Sequence, residues 1–138
     1  MTKVVCAIIV TNNKVICVQR SSKMQLPLKW EFPGGKIESG ETDEAALIRE
    51  IAEELEINIQ PILRLEQSLF SYQHTSINLI PFVCKITGGK LRLQEHSDIR
   101  YLDCSELMQL DWADADKPIV REVVDRANEI VALLHSNY

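Results

Sequence analysis

The stretch GKIESGETDEAALIREIAEELEI, residues 35–57, has the periodicity of an amphipathic helix over 42–56. At about 100° per residue, one stripe of this helix is apolar: Ile48, Ile51, Ala52 and Leu55. The opposite side carries an arginine and three carboxylates: Arg49, Glu50, Glu53 and Glu54. Like charges at this spacing repel one another, and a bound cation would reverse that repulsion. The pattern therefore predicts either a solvated helix face or a site for a hard divalent ion such as Mg²⁺.

The residues just before this helix favour the metal site. Pro33, Gly34 and Gly35 permit a tight turn in which a backbone carbonyl faces the helix. Glu41 lies near the start of the helix, where a carboxylate suits the helix dipole. Thr42 is a candidate N-cap. Turn and helix together predict oxygen ligands from two neighbouring parts of the chain.

The rest of the chain mixes strands and helices without a regular βαβ alternation. Runs rich in β-branched residues predict strands at 3–10 and 14–19, joined by a hairpin turn at Asn12-Asn13. Further extended segments are predicted at 31–36, 63–72, 76–85, 91–94 and 99–102, with a loop at 21–30 and a turn at 87–90. Helices are predicted at 105–110 and 117–135. This order favours an α/β fold with a mixed β-sheet sandwiched between helices, and argues against a Rossmann fold.

The composition predicts one globular domain over residues 1–138. Because 46% of the residues are apolar and the net charge is only −5, disorder is excluded, and no apolar run has the length of a membrane span. Twenty acidic against 15 basic residues argue against a partner that is polymeric nucleic acid. Four cysteines without CxxC spacing predict reduced core thiols in a cytoplasmic protein.

The 35–57 segment resembles the Nudix box. That pattern is Gly, five residues, Glu, seven residues, Arg-Glu, an aliphatic residue, any residue, Glu-Glu, any residue, Gly and an aliphatic residue. Eight of the nine specified positions match, and the exception is Glu56, where the family usually has a glycine that acts as a helix C-cap. Asn58 is a candidate for part of that capping role. The resemblance implies the Nudix fold, and the departure concerns the local turn rather than the metal ligands.

The resemblance also implies a reaction and roles for the box residues. Nudix enzymes hydrolyse nucleoside diphosphates linked to another group, and they use Mg²⁺ or Mn²⁺. The core metal ligands would be Glu53, Glu54 and the Gly34 carbonyl. Glu50 would bind metal through water or act as general base on the attacking water, and Arg49 would orient these carboxylates. Two further positions would support the geometry of loop and helix: Gly35 and Glu41.

Outside the box, the chain is similar to the MutT-like branch of the family at residues 19–20, 30–36, 94–96 and 115–118. By this resemblance Arg20 would hold a substrate phosphate, although pairing with a neighbouring acid is the alternative. Glu95 would join the catalytic metal site when substrate binds, or else be an ordinary loop carboxylate. His96 is interpreted as a polar loop residue.

In MutT-like enzymes the residue before the C-terminal helix, here Asp116, approaches the edge of the base. An ionised aspartate only accepts hydrogen bonds, so it favours an exocyclic amine such as that of cytosine over the bare O6 of guanine. The alternative is that Asp116 caps the helix that begins near Lys117. Phe70 and Tyr72 are candidates for stacking on the base, although aromatic residues in strands also fill cores.

The sequence is thus interpreted as a Mg²⁺-dependent hydrolase that converts a (d)NTP and water into a (d)NMP and pyrophosphate. The favoured substrate is (d)CTP or a modified cytosine nucleotide, ahead of 8-oxo-(d)GTP, and the role is housecleaning of the nucleotide pool. A second interpretation replaces the substrate by a nucleotide sugar, a dinucleoside polyphosphate or another X-linked diphosphate. A third is a non-catalytic nucleotide sensor, against which the intact Glu50, Glu53 and Glu54 argue.

Overall fold

The computed structural model describes residues 1–135, which form eight strands, three α-helices and two short 3₁₀ helices. The strands are β1 (Thr2–Thr11), β2 (Lys14–Gln19), β3 (Trp30–Glu31), β4 (Gly34–Lys36), β5 (Ile57–Arg64), β6 (Ser68–Tyr72), β7 (Thr75–Gly89) and β8 (Asp98–Leu102). The helices are α1 (Asp43–Leu55), α2 (Lys117–Asp125) and α3 (Ala127–His135), with 3₁₀ helices at Cys104–Gln109 and Asp114–Asp116. The end of the predicted domain, 136–138, lies outside the described residues.

The sheet is built around β1 and β7, which pair in parallel over eight consecutive residue pairs. The other pairs of named strands within 1–135 are antiparallel: β2 and β4 on β1, β3 and β8 on β2, and β5 and β6 on β7. The β1–β2 hairpin turns at Asn12 and Asn13, whose φ values of 50° and 64° fit a tight hairpin turn. The mixed sheet predicted from the sequence is therefore confirmed.

Helices cover both faces of this sheet because side chains alternate along β1. One face carries α1, packed on three buried residues of β1: Val5, Ala7 and Ile9. The other face carries α2 and α3, which pack on the alternate residues of β1: Cys6, Ile8 and Val10. The predicted arrangement of a sheet between helices is thus confirmed.

The buried face of α1 differs from the predicted stripe. The helix begins as predicted at Thr42, whose hydroxyl oxygen accepts the Ala45 N–H at 3.1 Å. Its buried side chains are Ala46, Leu47, Ile51 and Leu55, whereas Ile48 and Ala52 are exposed. Glu50 and Glu54 follow Leu47 by three and seven residues, so they lie on the inward side of the helix. The prediction that all three carboxylates lie opposite the core was therefore wrong.

The end of α1 is closed by Glu56 itself. This residue has left-handed backbone angles, φ 56° and ψ 30°, and its N–H donates to the Ala52 carbonyl at 3.1 Å. The prediction that Asn58 takes part in the cap was wrong, because Asn58 is an exposed residue of β5 paired with Gly88. A residue with a Cβ in this conformation costs roughly 1–2 kcal/mol relative to right-handed geometry. The glycine usual at this position would avoid that cost.

Several predicted elements have different boundaries in the structure. The strand predicted at 63–72 is two strands, β5 and β6, both paired with β7. β5 begins at Ile57, where buried Ile57 and Ile59 alternate with exposed Asn58 and Gln60. Residues 91–94 form no strand, and 87–89 belong to β7 rather than to a turn. The helix predicted at 105–110 is a 3₁₀ helix at Cys104–Gln109.

The C-terminal helix predicted at 117–135 is divided into α2 and α3. Arg126 separates them, since its backbone angles of φ −106° and ψ 22° lie outside the helical region. Within the described residues, no helix is both long enough and apolar enough to cross a membrane. The four cysteines are buried and free, as predicted.

Candidate active site

A cavity of about 710 Å³ lies mainly on the face of the sheet that carries α2, and it extends to Glu54 of α1 on the other face. It is lined by residues of β1, β4 and β7, by the β6–β7 turn, and by the segments at 20–26, 95–96 and 113–116. Its volume falls in the range of small-molecule sites, about 300–1,000 Å³. Seven of the predicted site residues line it: Arg20, Gly34, Gly35, Glu54, Tyr72, Glu95 and Asp116. The other predicted residues are not among those that line it: Glu41, Arg49, Glu50, Glu53 and Phe70.

The carboxylate of Glu54 projects into this cavity from the inward face of α1. It accepts a hydrogen bond from the Gly34 N–H, while its Oε2 is buried without a partner. Burial raises the pKa of Glu54 to about 8, and repulsion from Glu31, Glu50 and Glu95 adds to the rise. Glu54 is therefore a desolvated carboxylate surrounded by like charge, which is the environment that a cation relieves.

Arg49 joins the start of the box to the helix. Its guanidinium binds both oxygens of Glu41, with Nε 2.7 Å from Oε2 and Nη2 2.9 Å from Oε1. It also donates to the Lys36 carbonyl at 3.1 Å and to Oε1 of Glu50 at 2.9 Å, whereas the Glu53 oxygens are 3.4 Å away. The guanidinium lowers the pKa of Glu41 to about 2. This geometry supports the orienting role predicted for Arg49.

The two glycines of β4 are needed for different close approaches. A Cβ on Gly34 would lie 1.9 Å from the Val5 carbonyl oxygen, because β4 runs directly beside β1. A Cβ on Gly35 would lie 2.2 Å from the carboxylate of Glu50. Glu50 thus lies against the backbone of Gly35, where burial raises its pKa. Gly34 serves the fold and Gly35 makes room for an acidic side chain.

The acidic groups suit a divalent cation in their chemistry, but they are not gathered around one point. Within residues 1–135, no group of three or more His, Cys, Asp or Glu side chains has the geometry to hold a metal ion. The side chain of Glu53 is 60% exposed and lies near Arg49. The unpartnered Oε2 of Glu54 is the observation that fits a cation. Glu50, Glu53 and Glu54 are the side chains of α1 that would hold it.

Glu31 is a member of the site that the sequence interpretation missed. Its Oε1 accepts a hydrogen bond from Nη1 of Arg20 at 2.8 Å, and its Oε2 lies 2.9 Å from Nε2 of His96. The alternative for Arg20, pairing with a neighbouring acid, is thus observed, although Arg20 also lines the cavity. The available signal was an acid at the first position of the predicted extended segment 31–36, with an apolar residue on either side.

Asp116 is 5% exposed and lies in the cavity wall. Its Oδ2 accepts the Phe32 N–H at 3.0 Å, and its side chain makes no capping bond to α2. The capping alternative for Asp116 was therefore wrong. Burial, with repulsion from Glu31, raises the pKa of Asp116 well above its usual range. The side chain is a buried carboxyl group at the edge of a ligand-sized space.

The remaining candidates lie at different distances from the cavity. Tyr72 lines it, and its hydroxyl oxygen accepts the Ala115 N–H at 2.9 Å. Phe70 packs on Tyr72 with ring centroids 4.7 Å apart and is not among the lining residues, so the structure does not place it against a ligand. Glu95 is exposed at the cavity and is close enough to Glu54 to raise its pKa.

Comparisons with known proteins show which family the chain is similar to. Residues 1–123 match the NUDIX domain family. The CTP pyrophosphohydrolase of Escherichia coli K12 is 31% identical over 120 residues, covering 87% of this chain and 89% of that protein. The 8-oxo-dGTP diphosphatase of the same strain is 29% identical over 112 residues, covering 81% and 87%. The solution structure of a MutT protein of the Nudix hydrolase family from methicillin-resistant Staphylococcus aureus 252 is 41% identical, with a TM-score of 0.74 and coverage of 91% and 96%.

Hydrolases of the Nudix family generally use divalent metal ions, in agreement with the unpartnered Oε2 of Glu54. The family match spans most of the chain and includes β1 to β8, α1 and the cavity residues described above. The chain therefore belongs to the Nudix family and is a hydrolase.

Proposed function

We propose that this chain is a Mg²⁺-dependent nucleoside triphosphate pyrophosphohydrolase, which converts a (d)NTP and water into a (d)NMP and pyrophosphate. The observation that carries the proposal is the Glu54 carboxylate, whose Oε2 is buried without a partner and which is repelled by three other acids at the wall of a ligand-sized cavity. A polyphosphate brings negative charge to this wall, so a cation must lie between the acids and the substrate. The names of the relatives support this class of substrate.

Different residues of the site would bind the metal, accept the proton of the attacking water and hold a phosphate. Glu54, with Glu50 and Glu53, would hold Mg²⁺, which supplies charge neutralisation for the phosphates and lowers the pKa of bound water. Glu50 lies against Gly35 with one oxygen bonded to Arg49, so its other oxygen is available to accept the proton of the attacking water. Arg20 would hold a phosphate, and Glu95, which also lines the cavity, would join the metal site when substrate binds.

The base preference is proposed to follow from Asp116. Its Oδ2 is already occupied by the Phe32 N–H, so Oδ1 is the atom that a base edge would meet. When Asp116 is ionised, Oδ1 accepts a hydrogen bond and favours the exocyclic amine of (d)CTP or of a modified cytosine nucleotide. This remains the first candidate.

A second candidate, 8-oxo-(d)GTP, is favoured by the burial of Asp116. Burial raises the pKa of this carboxyl, so a protonated form extends to higher pH than for an exposed aspartate. In that form Oδ1–H donates a hydrogen bond, and the O6 of a guanine ring can accept it. The two candidates therefore differ in the protonation state of one atom.

The test of the reaction is pyrophosphate release from a panel of normal and damaged (d)NTPs, with and without Mg²⁺. The variant Glu53→Gln removes a proposed metal ligand and should lower kcat by at least about 100-fold, a loss of about 2.7 kcal/mol of transition-state stabilisation. Glu44→Gln is the matched control, because Glu44 is an exposed acid in the first turn of the same helix. Equal activity of the two variants would count against the proposal.

The test of the base preference is the ratio of kcat/KM for dCTP to that for 8-oxo-dGTP, measured against pH. Ionisation of Asp116 should raise this ratio as pH increases, at higher pH than for an exposed aspartate because burial raises the pKa of Asp116. Asp116→Asn should lower the ratio by about 10-fold and flatten its pH dependence. Asp114→Asn is the control, since Asp114 pairs with Lys117 at 2.7 Å and is not among the cavity residues. An unchanged ratio in Asp116→Asn would show that Asp116 does not read the base.

The panel also separates the two remaining interpretations. Turnover of nucleotide sugars or dinucleoside polyphosphates, without turnover of any triphosphate, would move the substrate to X-linked diphosphates. Nucleotide binding without Mg²⁺-dependent turnover would indicate a sensor. Four buried free thiols support the proposal that the protein acts in a reducing compartment such as the cytoplasm.

A further inference from the structure

His96 belongs to a chain of contacts that ends at the cavity. Its Nε2 lies 2.9 Å from Oε2 of Glu31, and Oε1 of Glu31 accepts a hydrogen bond from Nη1 of Arg20 at 2.8 Å. A carboxylate only accepts hydrogen bonds, so Nε2 of His96 is the donor. Both oxygens of Glu31 are therefore held, one by each neighbour.

The strands bring these three residues together. β2 lies between β3 and β8, with Gln19 paired with Trp30 on one side and with Asp98 on the other. The Ser97 N–H also donates to the Gln19 carbonyl at 2.9 Å. Glu31 lies on β3 and His96 lies two residues before β8, so the two neighbours of β2 bring these side chains together beside Arg20, the residue that follows β2.

One nitrogen of the Arg20 guanidinium is free to bind the substrate phosphate that the proposed function assigns to this residue. Nε of Arg20 donates to the Gln25 carbonyl at 2.6 Å, and Nη1 donates to Glu31. In the described part of the chain, Nη2 makes no hydrogen bond. Since Arg20 lines the cavity, Nη2 is the donor left for an anionic ligand. A guanidinium fixed at Nε and Nη1 presents Nη2 in one direction, which reduces the ordering that binding would require.

Glu31 needs two donors because its surroundings are acidic. It raises the pKa of both Glu54 and Asp116, which shows that three acids share this wall of the cavity. A carboxylate released on one side would be repelled by these neighbours and would be free to turn. The imidazole of His96 is 3% exposed, so the contact at Oε2 is shielded from water.

We propose that His96 is a positioning residue, which holds Glu31 and through it fixes Arg20 for the substrate phosphate. His96 does not touch the substrate in this role. The inference rests on the proposed function, because the anion held by Arg20 is taken to be a phosphate of the nucleotide. It goes beyond that function in giving a task to a histidine that the sequence interpretation treated as a polar loop residue.

Two amide variants test the contact, because they differ in reach by one bond. In His96→Gln the amide nitrogen is as many bonds from Cβ as Nε2 of histidine, so it can still donate to Glu31. In His96→Asn it is one bond closer to Cβ and falls short. We expect KM to rise about 10-fold in the Asn variant, with kcat within about 3-fold, and to stay within about 3-fold of wild type in the Gln variant. His135→Gln, far along the chain on α3, controls for the loss of a histidine.

A double-mutant cycle tests whether His96 acts through Glu31. In the background Glu31→Gln, His96→Asn should raise KM by less than about 3-fold, because the partner it positions has already lost its charge. Thermal melting of each variant separates positioning from unfolding. If His96→Asn does not fold, the KM of the Gln variant and of Glu31→Gln still decides the question: the first should stay near wild type and the second should rise.

A binding measurement separates this inference from the proposed function. Calorimetry with pyrophosphate as the probe should show the same order of affinities, with wild type and the Gln variant tighter than the Asn variant, even if no triphosphate is hydrolysed. Three results would overturn the inference: equal KM and affinity in the Asn and Gln variants, a loss confined to kcat, or full additivity with Glu31→Gln.

Discussion

The substitution Glu54→Gln should stabilise the metal-free protein, by an amount that grows with pH. Glu54 has a pKa near 8 in the folded chain against an ordinary value of 4.5, because of burial and of repulsion from neighbouring acids. Below pH 4.5 the group is protonated in both the folded and the unfolded state, so it does not affect the balance between them. Between 4.5 and about 8 the unfolded chain loses the proton and the folded chain keeps it, so rising pH destabilises the fold.

The size of the effect follows from the two pKa values. Each pH unit in that interval removes about 1.4 kcal/mol of stability from the wild type. The interval from 4.5 to about 8 therefore sets a ceiling of about 5 kcal/mol, and partial access of water brings the expected difference to about 2–5 kcal/mol at pH 8. Glutamine keeps the shape of the side chain and carries no ionisable proton, so the variant lacks this slope.

The assay is urea unfolding of both proteins at several pH values from about 4.5 to about 8.5 in a chelator. We expect the free energy of unfolding of the variant, minus that of wild type, to rise steadily with pH and then level off. Addition of Mg²⁺ should reverse the order, because the wild type keeps all three carboxylates proposed to hold the ion and the variant has lost one. A difference that does not change with pH in the absence of metal would refute the reasoning. Asp116 titrates in both proteins, so its contribution cancels.

The other predictions use close contacts of single residues. Gly34→Ala places a Cβ against a backbone oxygen of β1 and should lower the free energy of unfolding by at least about 2 kcal/mol, measured by urea titration. Gly35→Ala meets the movable carboxylate of Glu50, so we expect a kcat reduced by about 10-fold or more with a melting temperature within about 3 °C of wild type. Tyr72→Phe leaves the Ala115 N–H without its acceptor and should cost about 1–3 kcal/mol in the same unfolding assay. The four buried cysteines should react with a thiol reagent only under unfolding conditions.

The sequence predicted the class of fold and the chemistry of the box because both depend on local patterns. Thr42 caps α1 as expected, since the hydroxyl and the N–H that it accepts are three residues apart. The sequence prediction for the inward side of α1 was wrong. Helical periodicity assigns every glutamate to the polar side of the helix, because it takes no account of the neighbouring strands. Glu54 lies on the inward side because the buried stripe includes Leu47, seven residues earlier, and its carboxylate there meets the Gly34 N–H, 20 positions away along the chain.

The residues that the sequence could not find depend on longer-range contacts. Glu31 is held by Arg20 and His96, which are 11 and 65 residues away along the chain. No spacing within one element predicts that three separate segments meet at one carboxylate. Asp116 is held by the Phe32 N–H, 84 residues earlier along the chain. An aspartate just before a helix is equally typical of an N-cap, so the local pattern did not distinguish the two roles. For the same reason, the sequence could not predict that burial raises the pKa of Asp116.

The parallel pairing of β1 with β7 has a consequence for how the chain reaches this structure. Residues 2–9 bond to residues 77–84, so the centre of the sheet forms only after a loop of more than 60 residues has closed. At a synthesis rate of about 5–20 residues per second, the apolar β1 segment stays unpaired with β7 for about 4–16 s until that strand has been made. Chaperones that cover exposed strand edges should therefore matter most in this interval. The cavity, with Cys6 of β1 and Leu79 of β7 both in its lining, cannot exist before β7 has been synthesised.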